Sequence, residues 1–190
     1  MTRDDLDALK PINDQHGHAA GDELMIEVSR TLRQAIRPDD ILVRWGGDEF
    51  VVVAHAQHVE HATMLAERIR ERVAKMKCVL PKGAVVRTSS SIGLTCLPFV
   101  PGRPDAVSWE HAIKIADLAL YRAKRGRNAW RGWFGTESVA TLQTAMHQSV
   151  ISAVESNVDG LIANGVIIEH SSSRGSDDTV NALRVLREAR

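Results

Sequence analysis

Arg44-Trp45-Gly46-Gly47-Asp48-Glu49-Phe50 lies between two short apolar runs, Ile41 to Trp45 and Phe50 to Ala54. Two apolar runs around a glycine pair read as a β-hairpin with a Gly-rich turn. The glycines let backbone come close to a ligand. The carboxylates that follow are hard oxygen donors, which divalent cations take together with phosphate oxygens. Upstream, Asp5 and Asp7 flank Leu6. An acidic turn beside an acidic strand end can hold one or two Mg2+ ions for phosphoryl chemistry. Spacing alone favours the plainer reading, a solvated acidic turn, because short motifs match often by chance.

Around the hairpin the periodicity is helical. Leu24, Val28, Leu32, Ala35 and Ile36 mark a helix between Gly21 and Pro38, and Ala62, Leu65, Ala66, Ile69 and Val73 mark a second. Val86, Thr88, Ser90, Ile92, Leu94 and Cys96 alternate with other residues and predict one long strand. Trp109, Ile113, Ala116, Leu120 and Ala123 mark a third helix, and a short strand over 129–134 follows. The order α-β-β-α-β-α-β with a tight hairpin predicts an α+β fold, a mixed, largely antiparallel sheet covered by helices. Trp109, Trp130 and Trp133 read as packing residues. His55, His58 and His61 straddle a strand end and a helix start, and read as surface histidines and not a zinc site.

The 190 residues carry 24 Lys plus Arg and 24 Asp plus Glu, so net charge gives no global pull toward nucleic acid or membrane. Any anionic ligand must be met by local clusters. Cys78 and Cys96 make no disulfide framework and have no partners at metal-ligand spacing, which points to a reducing, cytoplasmic setting. No apolar run is long enough to span a bilayer, and a longer, membrane-anchored parent chain is compatible with that.

Five segments in order resemble one family. Asp5-Leu6-Asp7-Ala8-Leu9-Lys10-Pro11-Ile12-Asn13-Asp14 resembles the D-x-D-x-F-K-x-I-N-D segment of diguanylate cyclase (GGDEF) domains, with Leu9 in place of Phe. His16-Gly17-His18 with Gly21-Asp22 resembles G-H-x-x-G-D, and residues 44–50 match the naming motif. Ser91-Ile92-Gly93 is similar to the S-I-G strand. Residues 116–124 and Gly126-Arg127-Asn128 are similar to A-D-x-A-L-Y-x-A-K and G-R-N, with one residue between Lys124 and Gly126 where the family usually has two.

The resemblance implies a nucleotidyl-cyclase or palm-like fold and the condensation of two GTP into cyclic di-GMP with release of two pyrophosphates. It implies Mg2+, with Mn2+ as the alternative, held by Asp5, the Leu6 carbonyl and Asp48, with Glu49 supporting. Asp48 and Glu49 are the implied catalytic pair, Asp48 being the candidate base near the attacking hydroxyl. Asn13 and Asp22 would meet guanine, His18 would line the nucleotide site, and Lys10, Lys124 and Arg127 would meet the triphosphate. Read without the family, Asn13 and Asp22 fit helix caps, and Lys124 and Arg127 fit helix-end cations. Arg37-Pro38-Asp39-Asp40 fits R-x-x-D at the family's inhibitory spacing, with Arg68 as the further arginine of a site for the product. The implied partners are GTP, cyclic di-GMP, a second copy related by a two-fold axis, and sensory domains of a longer parent. A silent remnant that binds cyclic di-GMP without turnover is the alternative.

Against the family pattern, the helix before the first strand and most of that strand are expected to be missing, with Met1-Thr2-Arg3-Asp4 where strand residues should be. The expected domain is 1–134. Beyond Gly135, an amphipathic helix from Val139 to Val154, a strand at Val166-Ile167-Ile168, a loop over 171–176 and a helix with Val180, Leu183 and Leu186 form an α-β-α extension, 135–190, of unassigned role.

Overall fold

A computed structural model describes residues 1–81, 83–139 and 149–172. The strands are β1 Thr2–Leu6, β2 Ile41–Gly46, β3 Glu49–Val53, β4 Cys78–Val79, β5 Val85–Val86, β6 Ser90–Thr95, β7 Trp130–Gly135 and β8 Ile167–Ser171. The helices are α1 Leu9–His16, α2 His18–Ala35, α3 Val59–Lys75, α4 Trp109–Ala123 and α5 Val150–Ala163. Six strands form one sheet in the order β2-β3-β1-β6-β7-β8, and β4 and β5 form a separate pair. Every pairing is antiparallel except β6–β7, which α4 joins as a crossover. This is the mixed, mostly antiparallel α+β sheet that the sequence predicts.

The first strand departs from expectation. Thr2-Arg3-Asp4-Asp5-Leu6 is a strand at the middle of the sheet, paired with β3 on one side and β6 on the other. Its polar composition argues against a buried strand. Backbone pairing on both edges overrides that, because each buried N–H and C=O there needs a partner. The long strand expected over 86–96 is instead two. β1 ends at Leu6, opposite Ser90, so residues before Ser90 have no central strand to pair with, and Val85–Val86 pairs with Cys78–Val79.

Both sheet faces are covered. On one, α2 and α3 bury Leu24, Val28, Leu32, Ile69 and Val73 against Phe50, Val52, Ile92 and Leu94. On the other, Ala112, Ile115 and Ala119 of α4 pack with Trp133 and with Val150, Val154 and Ile167 from beyond Gly135. Gly93 of β6 lets α4 lie on the strand itself, since a Cβ there would stand 2.0 Å from the Ala116 carbonyl oxygen. Trp130 and Trp133 are buried as predicted, whereas Trp109 is 55% exposed at the first turn of α4. One turn further along, Ala112 and Ile115 take the inward row.

The chain beyond Gly135 adds β8 to the same sheet, antiparallel to β7. Asp159 of α5 accepts two hydrogen bonds from Arg122 of α4, at 2.6 and 2.9 Å. The single helix predicted from Val139 to Val154 does not run through: Ser149 is extended and N-caps a helix that starts at Val150 and ends at Ala163, and residues 140–148 lie outside the described residues. The loop beyond Ser172 and the helix predicted around Leu183 lie outside them.

Candidate active site

Alternation along β1 divides its side chains between the faces. Asp5 lies opposite Glu49 on β3 and Ser91 on β6, and Arg3 lies opposite Val51 and Gly93. Arg3 and Asp5 therefore face α4, while Asp4 faces the α2–α3 core. Asp48 is the second residue of the β2–β3 turn, after Gly47 at φ +47°. Its carbonyl accepts the Leu6 N–H at 3.3 Å, tying the turn to the end of β1.

Two cations enter this acidic corner. Lys124, the residue that closes α4, donates from Nζ to Asp5 Oδ2 at 2.6 Å. Burial pushes the Asp5 carboxyl above its ordinary range, Lys124 opposes that, and the nearby Asp48 and Glu49 carboxylates add to it. Arg3 donates to Glu49 Oε2 at 3.2 Å and to the Asp117 carboxylate on α4. Its guanidinium also lies over Trp45, 5.5 Å from the ring centroid. Arg3 is thus clamped among β3, the hairpin and α4. The sequence signal for it was an arginine at an inward strand position two residues before Asp5.

The donor set suits a hard divalent cation, with three carboxylates and the Leu6 carbonyl at the strand end. Burial foremost, and the neighbouring carboxylates in smaller part, raise Asp5, and a bound cation offsets both. Among the described residues no three His, Cys, Asp or Glu side chains gather as a metal-holding cluster. Asp5 is turned to Lys124 and Glu49 to Arg3.

Asp7, two residues on, is a structural tie that the sequence reading left unassigned. It accepts from Ser89 Oγ at 2.5 Å, Ser91 Oγ at 2.8 Å and the Asn128 N–H at 2.9 Å. It thereby joins the end of β1 to β6 and to the Gly126-Arg127-Asn128 turn, where Arg127 and Asn128 hold φ +48° and +44°. The readable signal was the S-x-S spacing of Ser89 and Ser91 on one strand face. Asp7→Ala is expected to lower stability by about 2 kcal/mol, because three donors to a charged acceptor lose it. Chemical denaturation measures this, and a loss within error of zero would remove Asp7 from that role.

The remaining predicted residues sit on the α1–α2 corner that follows β1 and on the turn after α4. Asn13 lies inside α1 with its Oδ1 buried and without a hydrogen-bond partner among the described residues. It rests on Gly21, where a Cβ would stand 1.9 Å from that oxygen. Asn13 and Asp22 are not N-caps, since Ala8 and Gly17 hold those positions without side-chain caps. Lys10, His18, Asp22 and Arg127 are exposed.

Arg37, Asp40 and Arg68 line one cleft of about 250 Å3 at the opposite end of β1, together with Thr2, His55 and His61. Asp40 is buried there, and its carboxylate accepts the Arg37 N–H at 2.8 Å. Arg33 donates to the Asp40 carbonyl at 2.8 Å. Asp40 thus shapes the loop that leaves α2, and the Arg37 and Arg68 side chains are exposed.

The sheet order, the acidic turn and the lysine at the end of α4 define a class that comparison identifies. Residues 4–129 match the profile of the family described as diguanylate cyclase, GGDEF domain. The chain belongs to that family. It is 42% identical over 130 residues to the diguanylate cyclase DosC of Escherichia coli (strain K12), covering 68% of this chain and 27% of that protein. It is 37% identical over 125 residues to diguanylate cyclase A of Treponema denticola, covering 65% and 32%. The chain thus spans about a quarter to a third of the length of these curated relatives. Among solved structures, the diguanylate cyclase SiaD from Pseudomonas aeruginosa, in complex with its activator SiaC, superposes with a TM-score of 0.60 at 29% identity over 67% of this chain and 46% of that one. The GGDEF domain of DgcB from Caulobacter crescentus, in complex with c-di-GMP, gives 0.58 at 25% over 66% and 71%. No helix among the described residues is long and apolar enough to cross a membrane.

Proposed function

We propose that this chain is a diguanylate cyclase domain that joins two GTP molecules into cyclic di-GMP and releases two pyrophosphates. The observation that carries the reading is the direct pairing of Asp5 with Glu49 beside the Asp48 turn, with Lys124 reaching into the same corner. Membership in the family supports it.

Asp5, Asp48, Glu49 and the Leu6 carbonyl would hold Mg2+, or Mn2+ in its place. When bound, the ion would stabilise charge developing on the phosphoryl oxygens. The protein's own residues bind and orient. The Asn13 oxygen and the Asp22 carboxylate accept from the guanine N1–H and amine, and His18 lines the base. Lys10, Lys124 and Arg127 meet the triphosphate by charge-assisted hydrogen bonds. Asp48, on a turn held to β1 through Leu6, accepts the proton of the attacking 3′-hydroxyl. Each domain binds one GTP, so two copies face each other about a two-fold axis. Input would come from sensory domains of a longer parent, in a cytoplasmic setting.

The test is product formation. Protein with GTP and Mg2+ is expected to yield cyclic di-GMP by chromatography, and Asp48→Ala is expected to lower the rate by about a hundredfold or more. A folded dimer that makes none overturns the cyclase reading.

The cleft with Arg37, Asp40 and Arg68 supports product binding that inhibits turnover. It equally favours a second reading, a catalytically silent domain that binds cyclic di-GMP. Calorimetry separates them, because binding of the dinucleotide without GTP turnover selects the receptor. Arg68→Ala is expected to weaken that binding on the order of tenfold, the cost of one charge-assisted contact to a phosphate or guanine edge.

A further inference from the structure

Both strand-borne carboxylates of the acidic corner already have a cation, and the two cations differ in freedom. Arg3 holds Glu49, but it also holds Asp117 and stacks on Trp45, and its side chain is 6% exposed. Moving it would strand a buried guanidinium, so it stays. Among the described residues Lys124 pairs with Asp5 alone, and its side chain is 43% exposed. It closes α4 on a flexible four-carbon stem, and a lysine ammonium is a compact point charge that can exchange one anion for another. Asp5 itself is buried among other carboxylates, where an unpaired charge is costly.

We propose that Lys124 is a displaceable stand-in for the divalent cation at Asp5, released when a polyphosphate offers its ammonium another anion, whereas Arg3 is a fixed counter-ion of Glu49. This rests on the metal-site reading above. It adds an order to binding: the ion alone competes with Lys124 for Asp5, and an ion arriving with a nucleotide does not. Affinity for the bare ion is therefore low and rises when polyphosphate is present.

The experiment is titration of the protein with Mn2+ in the absence of nucleotide, with free Mn2+ followed by electron paramagnetic resonance. Lys124→Met is expected to bind Mn2+ about tenfold more tightly than wild type, the effect of removing one partly exposed competing ion pair. Arg125→Gln removes the same charge one residue along without touching Asp5, and is expected to leave the affinity unchanged. Equal tightening by Arg125→Gln, or none by Lys124→Met, overturns the proposal. Asp5→Asn separates the two levels. If it abolishes Mn2+ binding while Lys124→Met changes nothing, the metal site stands and the stand-in role falls. If Asp5→Asn leaves binding intact, the metal-site reading itself falls.

Discussion

Gly93→Ala is expected to destabilise the domain by about 3 kcal/mol or more, a large share of the roughly 5–15 kcal/mol that holds a typical domain folded. The new Cβ would stand 2.0 Å from the Ala116 carbonyl oxygen, 2.4 Å from the Leu120 nitrogen and 2.8 Å from the Leu120 Cα. All three are backbone atoms of α4, so no rotamer change relieves the contact. The helix must lift off β6. Elsewhere, glycine to alanine in an unstrained backbone stabilises by about 0.4–1 kcal/mol through the unfolded chain, and that gain is too small to offset the clash. Lifting α4 also moves Asp117 and Lys124, the groups that hold Arg3 and Asp5. Soluble yield and a thermal melt check this. A variant that melts within about 2 °C of wild type would show that α4 is not seated on Gly93.

Asp4→Val is expected to act as strongly in the other direction. Asp4 is 1% exposed and faces the α2–α3 core beside Phe50 and Ile92. Among the described residues neither carboxylate oxygen has a hydrogen-bond partner. The Ser90 hydroxyl is near enough to temper the charge, yet it completes no bond of good geometry and is itself unpartnered. Burial foremost, with Asp5 and Asp7 adding repulsion, raises its pKa from 3.8 to about 7. The folded chain thus holds this proton more tightly than the unfolded chain. Folding stability from this group is greatest at low pH, falls as pH rises between about 4 and 7, and levels off above. A shift of that size corresponds to roughly 4 kcal/mol at pH 8. Valine removes the charge, suits a strand and adds apolar burial. Urea unfolding at pH 8 and pH 4 should show a gain of about 4 kcal/mol for Asp4→Val at the higher pH and a much smaller one at the lower. Equal stability of the two proteins at pH 8 would mean that the charge is relieved by some other route.

Much of the fold was legible where burial follows a single periodicity. Leu24, Val28 and Leu32, and then Leu65, Ile69 and Val73, face one core, so their spacing carried the helices directly. Thr2-Arg3-Asp4 had no such signal. Its strand state comes from pairing with β3 and β6, residues distant in sequence, and apolar alternation cannot report that. α1 escaped for a different reason, being eight residues long with Pro11 in its first turn. In the candidate site, motif order singled out Asp5, Asp48, Glu49 and Lys124, which lie at one corner of the sheet. What it could not reveal was the partner of each charge: that Lys124 would meet Asp5, that Arg3 would meet Glu49, and that Asp7 would tie two serines to the turn after α4. Those are consequences of register and of where α4 ends.

The place of β1 has a consequence during synthesis. Within this sheet it is the first of the described strands to be synthesised, yet Asp5 must wait for Glu49 and then for Ser91 before both its edges are filled. Until β6 is made, a charged segment keeps at least one backbone edge open, and contacts so distant in sequence are slow to form. The nascent chain therefore carries a polar strand, the one that bears Asp5 of the candidate site, as a late-closing centrepiece. Translation pauses or chaperone engagement after β3 and before β6 would act on the species with one side of that strand still open.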